Sequence, residues 1–290
     1  MDEFHQIMSA LFFLAARKSG SSPQDPPPHL LEKFLDMENI IVVLEMSPPV
    51  RISDIGLYLR CPRLVYFQSL RSIAAPVDAD RLLLRALMQS LTYPSSSEVP
   101  EMDLEDMLYE NLSRLEQELP LVYEIDAEEL SSACRDLKQK IEGISQELAE
   151  HLGLLLPCEV DVDLRSERLG LSGRLDRLAH GGIPSIIRTG RAPEDGIWKR
   201  DRIMLSGYAL ILGEKEKKHI GFGLVEYARQ GLIRRVEIHG TDRARVLRIR
   251  DRIRLIMQGR LPDRPDDAPC KGCQAEEICK TRHCLASKFF

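Results

Sequence analysis

The chain has 290 residues, 43% of them hydrophobic and 29% charged, with a formal net charge of −5. That length and apolar content mark a globular protein with a large core, and no apolar run approaches the roughly 18 residues that would span a bilayer. The negative total excludes a uniformly basic nucleic-acid binder, yet it hides a segregation: residues 98–150 carry 16 acidic and 4 basic side chains, while residues 229–260 carry 10 arginines against Glu237, Asp242 and Asp251.

Residues 1–20 have the pattern of one amphipathic helix. The uncharged stretch Ile7–Ala16 is preceded by Asp2 and Glu3 and followed by Arg17 and Lys18. This reverses the charge order of a signal peptide, so a soluble, cytoplasmic protein is expected. Ser19–Pro28 reads as a linker whose prolines preclude helix. Leu30–Met37 reads as helix and Ile40–Leu44 as strand, and Pro48-Pro49 close an extension, residues 1–50, that could serve packing or a partner. A main domain is expected over residues 51–290. Ser53 is placed to cap a helix containing Ile55, Leu57 and Tyr58, with Cys61-Pro62-Arg63 next. Periodicity gives a helix over residues 80–91 and two acidic helices over 103–119 and 127–152, separated by Pro120. These belong to an acidic helical insertion, about 98–152, flanking the sheet.

Cys158–Leu164 alternates with period two, as a half-exposed strand does. Leu171–Leu178, the His180-Gly181-Gly182 turn and the β-branched run Ile183–Thr189 form a hairpin, and Gly190 ends it. After a polar loop with Pro193 and Gly196, apolar residues from Ile203 to Leu212 recur at helical spacing up to Gly213. Ile220–Tyr227 and Gly231–Ile238 form a strand pair around Arg229-Gln230-Gly231, and Asp242–Met257 an Arg-rich helix closed by Pro262 and Pro265. The order gives an α/β fold with a mixed sheet. On the Arg-rich helix, Arg248 and Arg252 share a face at i and i+4 and are candidate phosphate contacts; a solvated face balancing the acidic segment is the plain alternative.

The run Gly173, Asp176, Thr189-Gly190 and Tyr208 resembles the core of the RecB-like PD-(D/E)xK nucleases: G-x-x-D, a carboxylate-x-Lys strand ending in T-G, then a Q-x-x-x-Y helix. The resemblance implies a restriction-endonuclease-like mixed-sheet core. It puts Ile186 where the family has its second carboxylate, Arg188 where it has lysine, and Met204 where it has glutamine. In active members the carboxylates bind a divalent metal that activates water, and a helix histidine lies near it; the nearest placement here is Leu84. Ile186 cannot bind Mg²⁺ or Mn²⁺, and Arg188, always protonated, binds phosphate but is a poor base. Asp176 is either a remnant of catalysis or a buried partner of Arg174, Arg188 or the hairpin backbone. A displaced carboxylate would have to come from Glu159, Asp161, Asp163, Glu194 or Asp195.

Seven cysteines occur, and Cys270, Cys273, Cys279 and Cys284 crowd the end as C-x2-C-x5-C-x4-C. An odd number in a chain expected to be cytoplasmic argues against a disulfide framework. A C-x2-C turn points two sulfurs one way, Cys279 can add a third, and the fourth ligand is Cys61 from afar or Cys284 nearby. Cys134 and Cys158 read as core cysteines. This tail, with a remote C-P-R cysteine, resembles the iron–sulfur RecB-like family, and within it the CRISPR-associated exonucleases of spacer acquisition. The resemblance implies a 4Fe-4S cluster on Cys61, Cys270, Cys273 and Cys279, with residues 268–290 as the clasp, in place of zinc or free thiols.

These readings lead to an iron–sulfur DNA-binding protein whose nuclease activity is lost or strongly reduced. DNA ends or single strands, CRISPR adaptation proteins or an active paralogue are the expected partners. The alternatives are an active exonuclease with a rearranged site that uses Mg or Mn, and a structural or regulatory partner of an active paralogue.

Overall fold

The computed structural model describes residues 48–70, 78–92 and 103–280. The expectations for residues 1–20, Ser19–Pro28, Leu30–Met37, Ile40–Leu44 and Cys284 lie outside those residues. Cys158–Ser166 (β2), Leu171–Ala179 (β3) and Ile183–Arg188 (β4) form an antiparallel series. The turn from β3 to β4 holds Gly181 and Gly182, both at φ 76°, a conformation that side chains disfavour.

Only Arg177, Leu178 and Ala179 of β3 pair with β4. From Ser185 to Arg188, β4 runs parallel to Phe222–Tyr227 (β5), which is antiparallel to Leu232–Glu237 (β6). The start of β3, Leu171 and Ser172, pairs in parallel with Val50–Arg51 (β1). The sheet order is thus β1-β3-β4-β5-β6, with β2 beside β3. Between its partners β1 and β4, the edge of β3 is left open from Gly173 to Asp176, and the sheet forks there.

Helices cover both faces. Ile52–Arg60 (α1), Pro62–Ser69 (α2), Lys199–Lys215 (α7) and Gly240–Met257 (α8) pack one core with Leu171, Leu175, Ile186, Val225 and Val236. Ala79–Ser90 (α3), Leu104–Val122 (α4), Ala127–Lys138 (α5) and Ile141–Ala149 (α6) pack a second core with Ile187, Leu224 and Ile233. The two-residue period of a strand explains why adjacent Ile186 and Ile187 serve different cores.

Several expected boundaries shift. Arg51, not Ser53, is the N-cap of α1, and the Asp54 carboxylate accepts its backbone N–H at 3.2 Å. α4 continues through Pro120, which removes one hydrogen bond near the helix end while Tyr123 N–H still reaches Leu119 O. The second acidic helix is two, breaking at Gln139–Lys140, with a 3₁₀ turn at Leu152–Leu154. α7 begins at Lys199, four residues before its first apolar residue, because its opening turn is polar.

The sheet is tied to α3, beside the second core, by a fully buried ion pair that periodicity does not reveal. Arg177 Nε donates to Glu226 Oε1 at 3.0 Å, and both side chains are inaccessible to solvent. Arg177 also donates to Met88 O and Leu91 O, each at 2.7 Å, closing the C-terminal turn of α3, and Ser185 Oγ donates to Glu226 Oε1 at 2.6 Å. Removing one partner would leave a buried charge without compensation. Arg177→Met should cost about 3–5 kcal/mol in urea unfolding, whereas Arg174→Met, which loses only an exposed pair with Asp163, should cost less than about 1 kcal/mol.

Candidate functional site

The fork sets the site. Where β4 has left β3, the Ile187 N–H has no backbone acceptor on β3, and Asp176 Oδ2 accepts it at 2.8 Å. Asp176 is 5% exposed, and its other oxygen, Oδ1, is paired with Arg85 of α3. Burial, its largest influence, raises the Asp176 carboxyl above the ordinary range; Arg85, the Ile187 N–H and Arg188 oppose that rise. The partner of Asp176 is therefore Arg85 with the hairpin backbone, rather than Arg174 or Arg188. Leu84 is buried in the second core, and the α3 side chain that reaches the site is its neighbour.

Arg188 turns to α7, with Nε 2.7 Å from Asp201 Oδ1 and Nη2 3.2 Å from Met204 Sδ. Two of the three positions that depart from the family pattern are thus in contact. Nε is within ion-pair distance of the carboxylate, but its N–H is not aligned for a hydrogen bond. Ile186, 1% exposed, presents an aliphatic wall beside them. The Tyr208 hydroxyl donates to Arg174 O at 2.7 Å, and its ring lies where a Cβ on Gly173 would be 3.0 Å from it. Gly173 and Tyr208 are thus a packing pair that braces β3 on α7. Burial first, and Asp176 second, push the tyrosine hydroxyl far above its ordinary value.

These side chains line a cleft of about 560 Å³ that also admits Arg51, Arg174, Arg200 and Gln274. Among the described residues its lining holds five arginines and one carboxylate. Four of the arginines have acidic partners: Arg51 with Asp54, Arg85 with Asp176, Arg174 with Asp163, and Arg188 with Asp201. Arg200 forms no ion pair among the described residues, and partial burial of its guanidinium, with Arg188 close by, lowers its pKa from the ordinary arginine value. None of the displaced carboxylates suggested by sequence lines the cleft. Asp163 holds Arg174, and Asp161 accepts from Gln89 Nε2 at 2.9 Å. The acid that sequence reading missed is Asp201, and its signal was an acidic residue in the first turn of a helix that starts earlier than its apolar stripe.

The expected phosphate contacts lie elsewhere. Arg248 and Arg252 share the solvent face of α8, with Arg252 near the Tyr58 hydroxyl at 3.4 Å, and neither lines the fork. Other arginines of this segment are used internally: Arg250 donates to Leu169 O, Arg243 to Ile220 O, and Arg229 to Thr189 O and Asp80.

The cysteines converge on a second place. Cys61, between α1 and α2, lines one small cavity of about 40 Å³ with Cys270, Cys273 and Cys279. None of the four is in a disulfide. Arg63 Nη1 donates to Cys279 Sγ at 3.3 Å, and Arg63 Nε to Pro262 O at 3.0 Å, tying α2 to the C-terminal segment. Burial is the main cause that raises the Cys61 thiol. Among the described residues no three thiol, imidazole or carboxylate side chains stand close enough to share one metal ion. The four thiols face a common space without closing on a single centre. Cys134 is buried in the second core as expected, whereas Cys158, also expected in the core, is only half-buried and accepts from Arg177.

A forked mixed sheet with an aspartate at the fork defines the class. The chain belongs to the PD-(D/E)XK nuclease superfamily, whose family model matches residues 52–280. Among curated proteins it is 31% identical over 134 residues to an uncharacterized protein of Archaeoglobus fulgidus, covering 45% of this chain and 60% of that one. It is 29% identical over 125 residues to a CRISPR-associated exonuclease Cas4/endonuclease Cas1 fusion of Leptospira interrogans, covering 39% of this chain and 23% of the fusion. The alignments thus span less than two thirds of either relative. The crystal structure of SSO0001 is 21% identical, with 70% of this chain and 96% of that chain covered, and superposes with a TM-score of 0.34, too loosely to bear on the site. No described helix is long and apolar enough to cross a membrane.

The geometry at Asp176 fixes a pH response. A carboxyl raised in the fold favours folding when protonated, so that contribution is present below the ordinary aspartate range and lost as pH rises through the raised value. Asp176→Asn removes the buried charge and keeps an oxygen for the Ile187 N–H. Its melting temperature relative to the parent should therefore rise as pH climbs above the ordinary aspartate range, and a difference independent of pH would contradict this assignment.

Proposed function

We propose that this protein is a nucleic-acid-binding member of the superfamily in which the metal-dependent cleavage site has become a cationic cleft. The observation that carries this reading is the state of Asp176: its oxygens are taken by Arg85 and the Ile187 N–H, and its expected metal-binding companion is the aliphatic Ile186. A divalent cation binding beside two guanidinium groups would need more than one carboxylate. The remaining acid, Asp201, is held by Arg188 and by the Tyr227 hydroxyl at 3.2 Å. Phosphates of a DNA end or single strand suit a cleft with an arginine excess, since guanidinium groups bind phosphate oxygens without releasing a proton.

The thiols of Cys61, Cys270, Cys273 and Cys279 are proposed to hold a 4Fe-4S cluster. Their common cavity supports a site to which all four thiolates contribute. When bound, the cluster would act as a clasp between the α1–α2 junction and the C-terminal segment. Arg63 already bridges the same two places, and its charge would offset that of the ligands. The likeness of part of the chain to the Leptospira fusion supports CRISPR adaptation proteins, or an active paralogue, as partners.

Two outcomes are expected. Purified without oxygen, the protein should contain iron and sulfide in equal amounts, and Cys61→Ser should lose both and unfold at lower temperature; zinc without iron would contradict the cluster. Labelled single-stranded DNA should be bound with a steep salt dependence but not cut with Mg²⁺ or Mn²⁺. Arg188→Glu with Arg200→Glu should weaken binding at least ten-fold. Robust cleavage that Asp176→Ala abolishes would overturn the reading in favour of an active exonuclease.

A further inference from the structure

The loop that carries β4 into α7 presents the chain's single tryptophan to solvent. Trp198 is 52% exposed, although an indole ring gains most from burial. Neither its backbone nor its ring is loose. Trp198 N–H donates to the Tyr227 hydroxyl at 3.3 Å, and Nε1–H donates to Arg191 O at 2.9 Å. The rest of the loop is pinned by Arg234, which donates to the carbonyls of Pro193 at 2.8 Å, of Glu194 at 3.1 Å and of Gly196. One exposed aromatic is unremarkable by itself. An exposed aromatic whose ring is fixed by a hydrogen bond, on a loop fixed by a guanidinium, has had its ordering cost met before any ligand arrives.

Its surroundings point to the ligand. Arg191, Lys199 and Arg200 are exposed around it, and Arg200 lines the arginine cleft. Hydrogen bonds and an ion pair connect Trp198 through Tyr227 and Asp201 to Arg188. Two residues of backbone separate Trp198 from Arg200, at most about 7 Å, which is on the scale of one nucleotide of an extended strand. Flat aromatic surface beside cationic groups is the arrangement that holds an unpaired base by stacking while its phosphate is neutralised next door. A base pair inside a duplex offers no free face for such stacking.

We propose that Trp198 is a base-stacking contact for single-stranded nucleic acid whose adjoining phosphate lies in the arginine cleft at Arg200. The inference rests on the nucleic-acid-binding reading above and adds a preference for unpaired over paired strands.

Because Trp198 is the only tryptophan of the 290 residues, fluorescence excited selectively at tryptophan reports on this one ring. Titration with an oligothymidylate should quench that fluorescence and saturate at the concentration at which the anisotropy of the same labelled strand saturates. Trp198→Ala should weaken single-strand binding by about ten-fold, from the typical worth of one stacked base. Trp198→Phe should keep most of it, and both variants should bind a duplex of equal length as the parent does. Saturating anisotropy with unchanged parent fluorescence would overturn the stacking role while leaving the DNA-binding reading intact, and it needs no variant to fold. Single-strand affinity undiminished in Trp198→Ala would do the same. Failure of the parent to bind any oligonucleotide would overturn the DNA-binding reading itself, and the stacking role with it.

Discussion

Strand β4 can leave β3 after three paired residues only because two adjacent side chains of β3 replace the lost ladder. A buried backbone N–H without an acceptor costs about 1–3 kcal/mol, and Asp176 removes that cost at Ile187. On the opposite face, Arg177 ties β3 to β5 through Glu226 and to the end of α3 through Met88 and Leu91. The fork, the cleft within it and the placement of α3 beside it all depend on this pair of neighbours pointing to opposite sides of one strand. Glu226 in turn holds Ser185, so the point where β4 changes partner is anchored from both sides.

In the proposed reading, the same fork lets a nuclease framework persist although the charge around its centre is positive. Asp176 has a structural duty, accepting the Ile187 N–H, that does not require a metal ion. A buried carboxylate still needs a counter-charge, and here Arg85 supplies one that cannot dissociate. Arg188 would repel a divalent cation, and Asp201 compensates it from α7. With both acids matched, the further positive charge of Arg200 is left for the proposed ligand, an anionic backbone.

Much of this was legible in the sequence, and the limits have physical causes. The hairpin, its glycine turn and the spacing from Asp176 to Tyr208 depend on local periods, and the structure places them as those periods require. Ile186 and Arg188 do face the cleft together, as a two-residue period demands. The ion pairs were not legible because their partners are far apart in sequence, 49 residues for Arg177 and Glu226. Leu84 and Arg85 show how narrow the margin is, since one residue turns a helix by about 100°, which separates a core leucine from a cleft arginine. The face shared by Arg248 and Arg252 could be read from helical spacing, but its distance from the fork is a tertiary property. Cys270, Cys273 and Cys279 could be grouped by spacing, while Cys61 joined them only through the family resemblance, and the structure gathers all four around one cavity.

Guanidinium groups are proposed to have taken the place of a divalent metal at the fork. The most direct test is electron paramagnetic resonance of Mn²⁺ mixed with an equimolar amount of the protein at neutral pH, in low salt. The full signal of free Mn²⁺ is expected, unchanged by Asp176→Ala. Loss of the free signal in the parent, restored by Asp176→Ala, would show that a metal still binds at Asp176 and would contradict this proposal.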